Sequence, residues 1–326
     1  MKKVGIIGLG KYLPEKRLTN EDLEKIVDTT DEWITERTGI KERRIARDDE
    51  ATSDMAVNAA KKAIENAKLR PEDIDLIIVA TITPDMFFPS TACVVQNKLG
   101  INHIPAFDIS VACSGFIYGI AIADQFIKSG GYKHILVIAA EKMSSVVDWQ
   151  DRSTCVLMGD GAGAAVLGEV ENGGVLSIYL GADGSKGDLL MMPAGGSRLP
   201  ATASTVEARL HFLKMEGNVL FKHAVKVMAE AALKATEPLG LKGDDINLVI
   251  PHQANIRILN AVAKRMGIDP EKKVYLNIDK YGNMSAASSA VALTEAVEEG
   301  RVKKGDIIVL DAFGAGLTWG AIVIKW

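Results

Sequence analysis

The second half of this 326-residue chain repeats the first at a constant offset of 172 residues. The matching segments are LRPEDIDLIIVATITP at 69–84 with LKGDDINLVIPHQANI at 241–256, and HILVIAAE at 134–141 with DIIVLDAF at 306–313. In each half a Gly-rich turn then leads into a closing strand. Such self-similarity indicates two copies of one structural unit that pack together. We therefore predict an N-terminal half at residues 1–172 and a C-terminal half at residues 173–326.

Short apolar runs with strand character alternate with helical patterns along the chain. Near-continuous runs of Ile, Val and Leu, such as IDLIIVAT at 74–81, are typical of strands that are covered on both faces. Between them, the stretch at 218–237 places its apolar residues on one face of a helix. Sheets covered by helices follow from this alternation, so we predict a layered α/β protein.

Charge and cysteine content exclude several classes of protein. The 38 Lys and Arg residues against 42 Asp and Glu give a formal charge of -4, which argues against nucleic acid as a partner. The three cysteines, Cys93, Cys113 and Cys155, lack the spacing of a disulfide scaffold or a zinc ribbon, and we expect a reducing cytoplasm. The apolar stretch at 4–9 is too short for a signal peptide, and no run of about 18 apolar residues predicts a membrane span.

The common motifs for bound cofactors are also missing from the sequence. GLGKYLP at 8–14 carries Leu13 where a dinucleotide-binding motif needs its third glycine. The histidines show no spacing with acids or cysteines that suits a metal ion. We therefore expect neither a metal nor a permanently bound cofactor.

Cys113 lies in FDISVACSGF, directly after a predicted strand and at the start of an apolar helix that runs through Ser129. The positive end of a helix dipole can lower a cysteine pKa from about 8.5 into a range of about 3.5 to 7.5, which favours a thiolate nucleophile. The alternative is a small buried core residue, since free cysteine is among the most buried types. The order of strand, turn, cysteine and small residues resembles a nucleophile elbow and favours chemistry.

His252 and Asn283 occupy comparable places in the second half. His252 ends the strand INLVI, and Asn283 stands in KYGNMSAAS between the predicted strand VYLNI and an Ala-rich helix. A single histidine at a strand end is more often structural, and asparagine after glycine is ordinary turn or N-cap chemistry. In the repeat, however, Cys113 and Asn283 lie in matching strand-to-helix turns. Since loops at the C-terminal ends of strands converge on one crevice, we expect all three side chains to share one site.

Four motifs, DISVACSGF, VIPHQANIRI, YGNMSAAS and FGAGLTWG, resemble in order and spacing those of the β-ketoacyl-acyl carrier protein synthase III family, within the thiolase-like superfamily. The resemblance spans essentially the whole chain. It implies a five-layered αβαβα fold of duplicated halves, and a homodimer, for which an edge strand near 106–110 is available. The implied reaction is cytoplasmic and condenses acetyl-CoA with malonyl-acyl carrier protein to give acetoacetyl-acyl carrier protein, CO2 and CoA.

The same resemblance implies roles for single residues. Cys113 would take the acetyl group from CoA, while His252 and Asn283 would donate hydrogen bonds to the malonyl thioester oxygen during decarboxylation. The backbone N–H groups of Cys113 and Ala315 would hold the tetrahedral oxyanion. Ala315 departs from the all-glycine form of this loop, and we expect it to alter the shape of the pocket without loss of activity.

Substrate contacts are implied in the same way. Trp33 would stack on the CoA adenine, with Arg37 and Arg152 beside the nucleotide, and Asn218 would lie near the pantetheine arm. Without the resemblance, these would be a partly buried helix tryptophan and surface arginines. Phe88 would reach across the dimer to close the acyl pocket and favour acetyl over bulkier primers.

The segment directly after His252 is implied as the docking site for the carrier protein. Arg257 would meet an acidic helix through charge pairing that steers association. The segment consists of Gln253, Ala254, Asn255, Ile256 and Arg257.

Other condensing enzymes match less well. Thiolases use a second cysteine near the C-terminal Gly-rich loop, whereas no cysteine follows Cys155, and elongating ketosynthases use two histidines, whereas none follows His252. Plant-type polyketide synthases and 3-hydroxy-3-methylglutaryl-CoA synthase share the cysteine, the histidine and the asparagine. The local sequences PHQANIRI and GNMSAAS, however, favour the initiating enzyme. A non-catalytic partner protein of this fold would be expected to lack Cys113. The acyl primer stays open between acetyl, propionyl and branched groups.

Overall fold

The structure, a computed structural model, describes residues 2–326. Its strands are, in chain order, β1 (Val4–Tyr12), β2 (Lys16–Thr19), β3 (Glu42–Ile45), β4 (Leu76–Ala80), β5 (Ala106–Ile109), β6 (Ile135–Lys142), β7 (Asp160–Glu169), β8 (Gly174–Ala182), β9 (Leu190–Met191), β10 (Lys214–Met215), β11 (Leu248–Pro251), β12 (Ile307–Gly314) and β13 (Thr318–Lys325). Its α-helices are α1 (Asn20–Leu23), α2 (Asp31–Thr38), α3 (Thr52–Asn66), α4 (Thr91–Lys98), α5 (Gly115–Lys128), α6 (Arg152–Cys155), α7 (Ala203–Glu207), α8 (Gly217–Thr236), α9 (Ile256–Arg265), α10 (Pro270–Lys273), α11 (Ile278–Tyr281) and α12 (Ala286–Glu298).

Two sheets of matching topology form the frame of the molecule. The first has the strand order β1-β7-β6-β4-β5, and the second has the order β8-β13-β12-β11. In each half two neighbouring strands are parallel, β4 with β6 and β11 with β12, and an antiparallel strand follows, β7 or β13. β11 begins 172 residues after β4, and β12 begins 172 residues after β6. The repeat in the sequence is therefore a repeat of structure.

Helices form three layers around the two sheets. α3 and α4 cover the outer face of the first sheet, α8 and α9 cover the outer face of the second, and α5 and α12 lie between the sheets. Along β4, Ile78 packs in the central core while Ile77 and Val79 pack under α3. Both faces of this strand are buried, as its continuous apolar sequence predicts. The predicted five-layered αβαβα fold is confirmed.

The two central helices begin next to each other at the end of β4. A Cβ built on Gly115 would lie 2.7 Å from the Ala80 Cβ and 3.1 Å from the Ala286 Cβ. Only a residue without a side chain allows this approach, so Gly115 lets the N-termini of α5 and α12 meet. The loops of the two halves thereby reach one place.

The predicted strand VYLNI is wrong in extent. Only a single bridge forms there, between Val274 and Val249, and α11 begins at Ile278. The backbone N–H of Asn277 donates to the side-chain Oε1 of Gln253 at 3.0 Å instead of to a neighbouring strand. Strand pairing ends at this point because a side chain takes the bond that a strand would need.

The Gly-rich segment at 159–163 is more than a turn, because β7 already begins at Asp160. A Cβ built on Gly163 would lie 2.5 Å from the Ala290 Cβ, so the glycine allows α12 to pack closely on β7. Within residues 2–326, no helix combines the length and the apolar character needed to cross a bilayer.

Candidate active site

Cys113, His252 and Asn283 line one cavity of about 780 Å³. Cys113 comes from the turn between β5 and α5, His252 follows β11, and Asn283 lies in the loop between α11 and α12. Both halves therefore contribute to one site, as the matching turns predict. Much of the remaining lining is apolar and includes Met143, Val156, Met158, Leu213, Leu220 and Met228.

The turn that carries Cys113 is held against the second sheet. Ser114 Oγ donates to the carbonyl oxygen of Thr318 at 3.1 Å, and Thr318 Oγ1 donates to the carbonyl oxygen of Val111 at 3.0 Å. Ala112 has a φ of 47°, a left-handed conformation that a residue with a side chain rarely adopts. Backbone strain beside a reactive side chain is common at functional sites.

Burial raises the pKa of Cys113 to about 12, with a smaller contribution from the nearby Glu141 carboxylate. The Ser285 hydroxyl lowers this pKa, but by less than burial raises it. Although Cys113 keeps partial exposure, that exposure is to the enclosed cavity. The direction is opposite to the lowered thiol pKa expected from the helix N-terminus, because loss of hydration penalises the thiolate. At neutral pH the Cys113 side chain is therefore a neutral thiol.

His252 is held by its backbone and is neutral. Its backbone N–H donates to the carbonyl oxygen of Asp311 at 2.7 Å, which fixes the end of β11 against β12. Burial lowers the pKa of His252 to about 3, and within residues 2–326 its buried Nδ1 has no hydrogen-bond partner. A purely structural histidine would use that nitrogen, since buried polar groups are normally paired. A neutral imidazole still carries one N–H that can donate to a ligand.

Asn283 is fixed by three hydrogen bonds that do not use its side-chain nitrogen, Nδ2. Its backbone N–H donates to Leu157 O at 2.8 Å, and its carbonyl oxygen accepts from Gly159 N at 3.0 Å. Its side-chain Oδ1 accepts from the backbone N–H of Ser285 at 2.9 Å. The N-cap position of α12 is Ser285, so Asn283 itself is not the cap.

The loop after β12 passes directly against the Cys113 backbone. A Cβ built on Gly314 would lie 2.6 Å from Cys113 N. Glycine is required for this contact, and it brings the following residue, Ala315, into the lining of the same cavity.

Trp33 on α2 lies at the cavity with two cations close to its ring. The guanidinium groups of Arg37 and Arg152 each lie 4.8 Å from the centre of its ring. Arg152 is further held by Asp28, whose carbonyl oxygen accepts from Nη1 at 2.7 Å. Trp33, Arg37 and Asn218 line the cavity, whereas Arg152 lies behind the indole ring. An aromatic face with two nearby cations suits a nucleotide bearing phosphates.

The segment at 253–257 divides into a buried part and an exposed part. Gln253 is fully buried, and its Nε2 donates to Pro251 O at 2.8 Å and to Tyr275 O at 3.2 Å. Asn255 caps α9 by accepting from the backbone N–H of Arg257 at 2.9 Å. The Arg257 side chain is exposed. Only the C-terminal end of this segment is therefore accessible to a partner, and Gln253 is not.

Phe88 is among the most exposed apolar side chains of the described chain, at 85% of its surface. It lies in the loop between β4 and α4 and does not line the cavity of its own chain.

Sequence reasoning missed Glu141 at the end of β6. This buried carboxylate accepts hydrogen bonds from Thr83 Oγ1 at 2.6 Å, from Thr81 Oγ1 at 3.1 Å and from the Ile82 backbone at 3.1 Å. Burial raises the pKa of Glu141 to about 7, against the lowering effect of these bonds. The available signal was a single acid at the end of the apolar run HILVIAAE.

Ser285 was missed as well. It has a φ of 48° at the start of α12. Its Oγ is buried and has no hydrogen-bond partner within residues 2–326. It nevertheless lies close enough to Cys113 and Glu141 to lower the pKa of both. Its position exactly one repeat after Cys113 could have drawn attention to it.

The duplicated five-layered fold, with a cysteine from the first half facing a histidine and an asparagine from the second, defines a thiolase-like condensing enzyme, an acyltransferase. Comparison with known proteins narrows this class. Residues 107–184 match the family model for 3-oxoacyl-[acyl-carrier-protein (ACP)] synthase III, and residues 237–326 match the model for its C-terminal part.

Individual relatives agree with the family models. The chain is 62% identical to the beta-ketoacyl-[acyl-carrier-protein] synthase III of Caldanaerobacter subterraneus subsp. tengcongensis, covering 99% of this chain and 97% of the relative. It is 60% identical to that of Clostridioides difficile, covering 99% and 98%. The crystal structure of the Aquifex aeolicus 3-oxoacyl-[acyl-carrier-protein] synthase III is 53% identical, with a TM-score of 0.92 over 99% of this chain and 100% of that one. The chain belongs to the β-ketoacyl-acyl carrier protein synthase III family.

Proposed function

We propose that this enzyme condenses acetyl-CoA with malonyl-acyl carrier protein to give acetoacetyl-acyl carrier protein, CO2 and CoA, the first condensation of type II fatty acid synthesis. The observation that supports it most directly is the meeting of Cys113, His252 and Asn283 in one cavity of a chain from this family.

The first step is transfer of the acetyl group to Cys113. The sulfur attacks the thioester carbonyl carbon, a new S–C bond forms, the bond to the CoA sulfur breaks, and the thiol proton leaves with CoA. Backbone N–H groups of Cys113 and Ala315 stabilise the oxyanion of the tetrahedral intermediate. Because the pKa of the thiol is raised to about 12, the thiol must give up its proton for the sulfur to act as a nucleophile.

The second step is decarboxylation of the malonyl thioester. The bond to the carboxylate carbon breaks, CO2 leaves, and the electron pair becomes an enolate whose oxygen accepts hydrogen bonds from His252 and Asn283. Each such donor is worth about 2.7 to 4 kcal/mol in comparable sites. The enolate carbon then attacks the acetyl carbon, a new C–C bond forms, and the Cys113 sulfur leaves as a thiolate that takes up one proton from solvent to restore the thiol. A neutral histidine suits this role because it donates without offering a proton to the carbanion.

The two substrates bind to different residues around the cavity. Trp33 stacks on the adenine, Arg37 and Arg152 flank the nucleotide, and Asn218 lies near the pantetheine arm. The exposed part of the segment at 254–257 docks the carrier protein, with Arg257 supplying the charge. Gln253 braces that segment from within.

Assembly and location complete the proposal. The enzyme is a cytoplasmic homodimer in which two copies pair along the exposed edge of β5, and Phe88 of each copy closes the acyl pocket of the other. The exposure of Phe88 supports this, since large apolar side chains are rarely left in water without a partner surface. Residues 1–172 form the half that carries the nucleophile, and residues 173–326 form the half that carries the two donors.

Intact mass spectrometry tests the proposal in two additions. Mixing the protein with acetyl-CoA should add one acetyl group at Cys113, and malonyl-acyl carrier protein should then remove it and yield acetoacetyl-acyl carrier protein. Absence of an adduct with acetyl-CoA and with longer and branched acyl-CoAs would refute the condensing function and favour a non-catalytic acyl-binding role. An adduct only with another primer would refute the assignment of acetyl.

A further inference from the structure

A buried carboxylate joins the loops that carry the two proposed hydrogen-bond donors. Glu295 lies on α12 and is only 6% exposed. Its Oε2 accepts from the side-chain Nδ2 of Asn277 at 2.9 Å, and its Oε1 accepts from the hydroxyl of Tyr281 at 2.6 Å. The two oxygens therefore hold two different segments of the chain.

The Asn277 side leads to His252. The backbone N–H of Asn277 donates to Gln253 Oε1 at 3.0 Å, and Gln253 Nε2 donates to Pro251 O at 2.8 Å. Gln253 and Pro251 are the immediate neighbours of His252 in the chain. Within residues 2–326 the Oδ1 of Asn277 has no partner, so the bond to Glu295 is what orients this amide.

The Tyr281 side leads to Asn283. Gly282, between them, has a φ of 64°, and a Cβ built on it would lie 2.7 Å from Leu157 O, the atom that accepts from Asn283 N. The Tyr281 ring is buried in a small cluster with Met284 and with Ala287 and Val291 of α12. Fixing the Tyr281 hydroxyl therefore fixes the start of the tight turn that presents Asn283.

Glu295 is an anion at neutral pH. Burial alone would raise its pKa, but hydrogen bonds from Tyr281 and Asn277 and the charge of Lys11 together lower the pKa of Glu295 below its usual value. Lys11 Nζ lies 3.3 Å from Oε1. Hydrogen bonds to an ionised carboxylate are shorter and stronger than those between neutral groups, so both loops are held firmly.

We propose that Glu295 is a positioning residue for malonyl decarboxylation. Its carboxylate sets the loop of His252 relative to the loop of Asn283, so that both donors converge on one thioester oxygen. This inference rests on the proposed function. Catalytic groups must be held within about 0.5 Å of their working geometry, and a misplacement of about 1 Å can slow a reaction about 100-fold.

The test compares Glu295→Gln with Glu298→Gln. Glu298 lies on the same helix, is more than half exposed and also pairs with Lys11, but it bonds to neither loop. Glutamine at 295 keeps the shape and loses the charge, and one of its two positions becomes a donor that faces another donor. We expect kcat for malonyl-carrier protein decarboxylation to fall about 10- to 100-fold with KM unchanged, while acetylation of Cys113 proceeds at the wild-type rate. Glu298→Gln should match wild type in both assays.

A double-mutant cycle separates positioning from a general loss of stability. Tyr281→Phe removes one hydrogen bond and should slow decarboxylation in the wild-type background but have little further effect in an Asn283→Ala background. Equal slowing in both backgrounds would overturn the inference, as would a Glu295→Gln enzyme that is fully active or that loses acetylation and decarboxylation equally. If Glu295→Gln does not fold, the Tyr281→Phe cycle decides alone. A wild-type protein that decarboxylates nothing would instead refute the proposed function itself.

Discussion

The side-chain oxygen of Asn283 accepts a hydrogen bond of 2.9 Å from the backbone N–H of Ser285. Because a backbone N–H can only donate, this bond identifies Oδ1 and leaves Nδ2 as the group available to a substrate. The bond joins a side-chain oxygen to the backbone N–H two residues later in the chain, which is the pattern of an Asx-turn. The hydrogen bond from Ser285 therefore determines which end of the Asn283 side-chain amide is left for a ligand.

Asn283→Ala should slow malonyl decarboxylation by about 100- to 1,000-fold, the usual effect of removing one oxyanion donor. Asn283→Asp should be equally slow, because a carboxylate can still accept from Ser285 but has no N–H to donate. Acetylation of Cys113 should continue in both variants. The measurement is 14CO2 release from labelled malonyl-carrier protein beside acetyl incorporation, and equal loss of both steps would contradict the assigned role.

Cys113→Ser should abolish acetyl transfer, because a serine hydroxyl ionises far less readily than a thiol and an alkoxide is not available at neutral pH. Cys93→Ser is the matched control, since Cys93 is a free and exposed cysteine outside the cavity. Intact mass after incubation with acetyl-CoA should show an adduct in wild type and in Cys93→Ser only. Normal condensation by Cys113→Ser would remove Cys113 from the mechanism.

Trp33→Ala should raise KM for acetyl-CoA about tenfold, because stacking of a base on an aromatic ring is worth about 1 to 3 kcal/mol. The same variant should use acetyl-pantetheine, which lacks the nucleotide, as well as wild type does. Initial rates with the two thioesters give the comparison. A similar loss with both would mean that Trp33 serves only the packing of α2 against its neighbours.

Arg257→Glu should raise KM for malonyl-acyl carrier protein much more than KM for acetyl-CoA, because it reverses the charge that meets an acidic partner. Arg265→Glu, an exposed arginine at the other end of α9, makes the same change in net charge and should have a smaller effect. Added salt should reduce the difference between Arg257→Glu and wild type. A uniform rise in both KM values would argue against docking at this residue.

The sequence was sufficient for the frame of the molecule and for the meeting of its two halves. β4 with β11 and β6 with β12 keep the offset of the repeat, so the turns after matching strands had to lie on one side of paired sheets. The sequence was not sufficient to predict which side chains are ionised. Whether Cys113 is stabilised as a thiolate depends on how much water its loop excludes, and that is set by residues such as Gly314 that are distant in sequence.

Burial of single side chains was equally inaccessible to sequence reasoning. Gln253 belongs to a polar motif that reads as surface, yet its amide serves three backbone groups in the interior. Glu141 ends an apolar strand, and its hydrogen-bond donors, Thr81 and Thr83, follow a neighbouring strand that is 60 residues away in the chain. Neither arrangement follows from periodicity or from motif spacing, because each depends on which strands become neighbours.

The raised pKa of Glu141 predicts a measurable pH dependence of stability. The pKa is about 7 in the folded protein against 4.5 as the reference, so between these values the folded state binds more protons than the unfolded state. Stability from this group is complete below pH 4.5 and is lost as the pH rises through 7, by about 3 kcal/mol in total. Glu141→Gln mimics the protonated acid and should remove this loss.

Subtracting the free energy of unfolding of Glu141→Gln from that of wild type separates the effect of Glu141 from that of other titrating groups. Urea unfolding of wild type and Glu141→Gln at intervals from pH 4.5 to pH 8 should show their free energies of unfolding diverging as the pH rises, with wild type falling relative to the variant. Parallel curves would show that Glu141 ionises at its ordinary pKa. A wild type that gains on the variant would show that the hydrogen bonds from Thr81, Ile82 and Thr83 outweigh burial and hold the carboxylate as an anion beside Ser285 and Cys113.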